Sequence, residues 1–168
     1  MVWYKKLLIS LAIAVVGVIA YLFLYIVTPQ PAVESVMEKK VDIKEYVLNH
    51  KVINLEIAQT PAEHFQGLSG RPDLCSVCGM LFIFSNLEIK TFVMRRMNFP
   101  LDIVWIKNDK VIGINQNLPP EGLEPIAKYS SPEPVDMVLE IPAGQADYYQ
   151  LSEGTTLDLT AQLIQDSR

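Results

Sequence analysis

Two cysteines and two histidines are all that this chain of 168 residues holds of its softest and most versatile metal ligands. A zinc site built on Cys75 and Cys78 would have to recruit both His50 and His64, and neither stands at a recognisable zinc spacing, so no metal is expected. No glycine-rich phosphate loop occurs. Gly67-Leu68-Ser69-Gly70 is not the G-x-S-x-G turn that exposes a nucleophilic serine at a strand-to-helix junction. Hence no cofactor and no serine nucleophile is expected. Basic residues are scattered, and Arg95-Arg96, the only adjacent arginine pair, reads as a solvated strand end. A nucleic-acid binder needs several Lys or Arg together to neutralise phosphates, so nucleic acid is not an expected partner. Internal repeats and low-complexity tracts are absent as well.

Charge is also missing from one long stretch. Residues 7–27, LLISLAIAVVGVIAYLFLYIV, are apolar or small throughout and follow Lys5 and Lys6. As a helix rising about 1.5 Å per residue the run would be roughly 30 Å long, the thickness of a bilayer's hydrocarbon core. It exceeds the usual signal-peptide core and ends without an Ala-x-Ala site, which favours an uncleaved anchor. Trp3, Tyr4, Tyr21 and Tyr25 stand near its ends, where amphipathic rings settle at the interface. The expected order is therefore a cytoplasmic end at 1–6, a transmembrane anchor at 7–27, a linker at 28–45 and an extracytoplasmic domain at 46–168. The expected location is the cell membrane, single-pass, with the N-terminus cytoplasmic by the positive-inside bias. Without Lys5 and Lys6 the chain keeps 12 Lys and Arg against 19 Asp and Glu, a net charge of −7.

About 120 residues remain for one domain with one real core. Ile53, Leu55 and Ile57 alternate with Asn54 and Glu56, as in a half-buried strand. Thr60-Pro61-Ala62-Glu63 combines an N-cap, a proline at the first helical position and a capping-box glutamate, and Gly67 and Gly70 keep that helix short. Met80–Phe84 is continuously apolar. Thr91–Met94 and Leu101–Ile106 read as strands, the latter turning at Lys107-Asn108-Asp109-Lys110 into Val111–Ile114. Val135–Ile141 and Leu157–Leu163 alternate again, with a short helix fitting between Pro142 and Gln150. Some seven short strands with Pro/Gly connections predict an all-β sandwich or small barrel with short helical insertions.

The ordered series Thr60-x-x-Glu63, Gly67-Leu68 with Arg71, Gly79-Met80-Leu81-Phe82, Phe92-x-Met94, Pro100-Leu101-Asp102-Ile103, Tyr129-x-Ser131 and Val138-Leu139-Glu140 resembles the family of domain of unknown function 192. The likeness runs from about residue 52 to 160. It implies a compact jelly-roll-like β architecture and an exported or anchored protein, and assigns no activity. This chain reads Phe92-Val93-Met94-Arg95-Arg96-Met97 where many relatives look like Phe-Trp-Met-Lys-Asn-Thr, and its C-x-x-C is similar to a variant found in only part of the family.

Outside the cytoplasm Cys75 and Cys78 form a disulfide or a redox couple. The pair runs into an apolar segment and not into a helix start, which favours a structural bridge over an oxidoreductase. Arg71, Asp102, Tyr129 and Glu140 form a polar constellation. Asp102 is the sharpest, one carboxylate in an otherwise apolar strand, and its expected partner is Arg71. Met80, Met94, Met97 and Met137 with Phe82, Phe84, Phe92, Phe99 and Trp105 either pack a core or line a ligand cavity. The leading expectation is a non-enzymatic module binding a small polar ligand or an envelope protein, with Arg71, Met94, Arg95, Asp102, Tyr129 and Glu140 as ligand-binding candidates. A hydrolase using Asp102 and Glu140 as acid and base competes with it, as does a thiol-disulfide protein using Cys75 and Cys78.

Overall fold

The computed structural model describes residues 16–23 and 43–166. Contacts divide the chain into two units, Met1–Lys40 and Val41–Arg168. In the first, residues 16–23 are helical, and the rest of the run expected to span a bilayer lies outside the described residues. Among the described residues no helix is long and apolar enough to cross a membrane.

The second unit opens with β1 (Ile43–Leu48), which lies partly inside the stretch expected to be linker. Lys44 and Glu45 hide its alternation, but Tyr46 and Leu48 are buried while Val47 between them is exposed. Asn49 and His50, both at positive φ, turn the chain into β2 (Lys51–Ala58), the left-handed pair that a two-residue hairpin requires. Next comes α1 (Pro61–Gln66), whose capping box forms as expected: Glu63 N–H donates to Thr60 Oγ1 at 3.3 Å, and Thr60 N–H donates to Glu63 Oε2 at 3.0 Å.

The remaining strands are β3 (Cys78–Glu88), β4 (Thr91–Phe92), β5 (Leu101–Lys107), β6 (Lys110–Leu118), β7 (Tyr129–Ser130) and β8 (Val135–Pro142). Among the described residues six strands make one sheet in the order β1-β2-β3-β8-β5-β6, and β4 pairs with β7 as a separate ribbon. Only β2 and β3 run parallel, so the sheet is mixed. It does not close into a barrel, and the second sheet is a two-stranded ribbon and not the full facing layer of a sandwich. Gly79 lets β3 sit this tightly in the sheet, since a Cβ there would come within 2.8 Å of the Glu140 carbonyl oxygen.

Both faces of the sheet are covered. On one, Leu55, Leu81, Val104 and Leu139 pack beneath α2 (Gln145–Tyr148) and α3 (Leu159–Asp166), whose Ala146 and Leu159 are fully buried. The stretch Leu157–Leu163, expected as a strand, thus forms most of a helix: Leu159 and Leu163, four apart, share one side of it. On the other face Met80, Phe82, Ile103 and Trp105 pack with Leu68, Met94 and Met97. That second face carries the cleft.

Candidate functional site

Strand register lines up the chemistry. Glu56 of β2 pairs with Met80 of β3, Met80 with Glu140 of β8, and Glu140 with Ile103 of β5. Two glutamates therefore stand on the same face, two strands and roughly 10 Å apart. Both are buried, with 8% and 5% of their surface exposed. Arg71, placed on the loop after α1, commits both guanidinium prongs to Glu56: Nη1 donates to Oε1 and Nη2 to Oε2 at 2.6 Å. This bond to Glu56 raises the arginine's pKa. Asn98 Nδ2 holds the same loop by donating to the Arg71 carbonyl at 2.6 Å.

Glu140 receives no such bond. Among the described residues no donor reaches its carboxyl, and burial pushes its pKa up to about 8 against the opposing pull of the Arg71 charge. At neutral pH it is a neutral acid. It lies at the base of a cleft of about 340 Å³ whose lining includes Phe82, Phe84, Phe92, Leu68 and Met97. Phe92 stands edge-on to Phe82 at 4.9 Å and to Trp105 at 5.7 Å, which fixes one wall. His64 also lines the cleft, its Nε2 bonded to the Ala58 carbonyl at 3.0 Å and its ring 4.6 Å from that of Phe84. Gly67, at φ 47°, passes 3.4 Å from the Phe82 ring measured to where its Cβ would be, so glycine alone fits this turn without strain.

Lys90 and Arg95 add charge to the lining. Lys90 is anchored through its backbone: its N–H donates to Ser131 Oγ at 3.1 Å and its carbonyl accepts Ser131 N–H at 2.9 Å. Its ammonium lies 4.3 Å from the centre of the Phe84 ring and pairs with the exposed Glu88 at 2.8 Å. Arg95 stacks 4.0 Å above Phe65 and donates from Nη2 to the Phe65 carbonyl, and its own carbonyl accepts the Ser69 hydroxyl at 2.8 Å.

Asp102 belongs elsewhere. Its strand neighbour is Ile141 and not Glu140, so it projects to the opposite face, fully buried. There Oδ1 accepts Asn117 N–H at 2.8 Å and Oδ2 accepts Ala146 N–H at 3.0 Å. The expected Arg71–Asp102 pair does not form, and Asp102 and Glu140 cannot converge as acid and base because the sheet separates them. Asp102 instead ties the β6 bulge at Asn117 to the start of α2. Met94 is buried in the core below the cleft, and Tyr129 packs at its edge through the ribbon with Phe92. Of the sulfur and aromatic residues, Phe82, Phe84, Phe92 and Met97 line the cleft, while Met137 lies on the other face. Cys75, on the loop after Arg71, and Cys78, the first residue of β3, are joined in a disulfide with Cα atoms 5.1 Å apart. Among the described residues no three His, Cys, Asp or Glu side chains gather to hold a metal ion.

A mixed sheet buried on both faces, with an uncompensated acid at the base of an aromatic cleft, defines a small mostly-β domain built around a concave site. The chain belongs to the DUF192 family, described as "Uncharacterized ACR", whose model matches residues 43–159. It is similar to the crystal structure of a protein of unknown function from Novosphingobium aromaticivorans, at 29% identity and a TM-score of 0.62, over 77% of this chain and 92% of that one. It also resembles a candidate transcription regulator from Sinorhizobium meliloti, at 28% identity and a TM-score of 0.59, over 68% of this chain and 88% of that one. No curated protein matches it.

Proposed function

We propose that this chain is a membrane-anchored, single-pass, extracytoplasmic module that binds a small ligand in the cleft above Glu140. One observation carries the reading: a buried carboxyl without a protein partner lines a concave, largely aromatic cavity. Because Glu140 lines the cleft, its carboxyl is available to hydrogen-bond a ligand bound there. The cavity's volume of about 340 Å³ falls at the small end of ligand sites, so the occupant is a small molecule and not an envelope protein. Residues 7–27 supply the anchor, and a disulfide between Cys75 and Cys78 suits an oxidising compartment.

A small-molecule fragment screen by NMR on the full chain in neutral detergent tests the reading. Binders are expected to shift resonances of Phe82, Phe92 and Glu140 together, and to lose affinity in Phe92→Ala. Shifts confined to the Asp102 face, or none anywhere, would count against the cleft.

A further inference from the structure

Resting on the ligand-binding reading above, we infer that the cleft takes a small amphipathic anion. Its ring or short alkyl body would lie among Phe82, Phe84 and Phe92, its negative charge would face Lys90 and Arg95, and an acceptor oxygen would reach the Glu140 carboxyl.

Three features of the lining give the ligand its sign. Lys90 and Arg95, whose backbones are anchored by Ser131 and Ser69, put two cations in the cleft lining. Their present partners are weak competitors. Lys90 faces Glu88, which is 59% exposed, and Arg95 has only the neutral carbonyl and ring of Phe65, so an incoming anion meets no buried counter-charge. The third feature is the acid itself. Neutral Glu140 offers a hydroxyl to an acceptor, and an ammonium ligand would meet two like charges with no ionised carboxylate to offset them. Aromatic walls alone would also suit a cation, but Lys90 already lies over the Phe84 face.

The charged and titratable groups facing Glu140 along its sheet row and across the cleft are Glu56, Arg71, His64, Lys90 and Arg95. Arg71 is paired with Glu56 and still pulls on Glu140, while Lys90 and Arg95 are the cations of the cleft lining. Ionising Glu140 would place a negative charge beside the ligand's own, so anion affinity should fall as pH rises past about 8.

Phenylacetate, 2-phenylethanol and phenethylamine share one ring and differ in charge. Titrated into the full chain in neutral detergent and followed by cleft resonances at about pH 7, phenylacetate is expected to bind roughly tenfold tighter than the alcohol and the amine weakest, as a charge-assisted contact implies. The Lys90→Gln/Arg95→Gln double variant is expected to erase that preference. Raising the pH to about 9.5 should weaken phenylacetate in the parent chain but not in Glu140→Gln. If the amine binds in the cleft at least as tightly as phenylacetate, or the double variant keeps the anion preference, the inference is overturned and the ligand-binding reading stands. If none of the three probes moves the cleft resonances, both are overturned.

Discussion

Arg71 lies close enough to Glu140 for its charge to pull on that carboxyl, yet it spends both hydrogen-bonding prongs on Glu56. This division of one guanidinium between two glutamates explains their different states. Glu56 is paired and held; Glu140 is desolvated, unbonded and left as an acid at the base of the cleft. Removing the arginine therefore has two separable effects. Arg71→Gln should destabilise the domain by about 1–3 kcal/mol through the stranded Glu56 carboxylate, the pair being only partly buried. It should also raise the Glu140 pKa further, because the opposing pull of the Arg71 charge is gone. Urea unfolding measures the first effect and a carboxyl NMR titration the second.

Stability should depend on pH in a definite direction. Glu140 keeps its proton to about 8 in the fold, whereas in the unfolded chain it loses it near the ordinary glutamate value of 4.5. Between these values the native state holds the extra proton, so this group's contribution is complete below the lower pKa and declines as pH rises toward 8. The decline amounts to a few kcal/mol, at most about 1.4 kcal/mol per pH unit. Glu140→Gln should flatten this part of the profile and be the more stable chain at pH 8, as chemical denaturation at a series of pH values would show.

Asp102 offers the contrasting case, a buried carboxylate whose work is structural. Asp102→Ala strands the N–H groups of Asn117 and Ala146 and should cost about 2–4 kcal/mol. Asp102→Asn retains one acceptor and should cost about half as much. Ligand affinity in the cleft, measured under conditions where either variant remains folded, should not change, because Asp102 lies on the other face of the sheet.

Opening the Cys75–Cys78 bridge should have a modest and local effect. It closes a loop of about four residues, for which chain entropy gives roughly 2 kcal/mol. The Cys75→Ser/Cys78→Ser double variant is expected to lose about that much in urea and to keep its ligand-induced shifts. A larger loss would mean that the bridge also holds Arg71 in place.

Local chemistry was legible in the sequence, and non-local pairing was not. Thr60 and Glu63 announce their capping box because every atom involved lies within four residues. Asn108 and Asp109, at φ 50° and 58°, make the expected hairpin turn between β5 and β6. Leu157–Leu163 misled because leucines two and four residues apart fit either period in so short a window. Asp102 and Glu140 were both recognisable as carboxylates in apolar strands. Whether they meet depends on a one-residue register between β5 and β8, and neither strand encodes that alone. Arg71 was singled out, but its partner Glu56 was hidden in an ordinary alternating strand that only the parallel pairing of β2 and β3 brings into the row. Arg96 sits at φ 53°, in the left-handed region, where an asparagine would be more at ease. The departure in the Arg95-Arg96-Met97 segment thus has a backbone meaning that the sequence alone could not supply.

The central claim is that Glu140 is a neutral acid facing a ligand cleft. A carbon-detected NMR titration of the Glu140 carboxyl, with and without saturating phenylacetate, tests it most directly. The expected midpoint lies near 8 in the free protein and moves upward when the anion is bound. A midpoint in the ordinary carboxylate range, unmoved by the ligand, would contradict it.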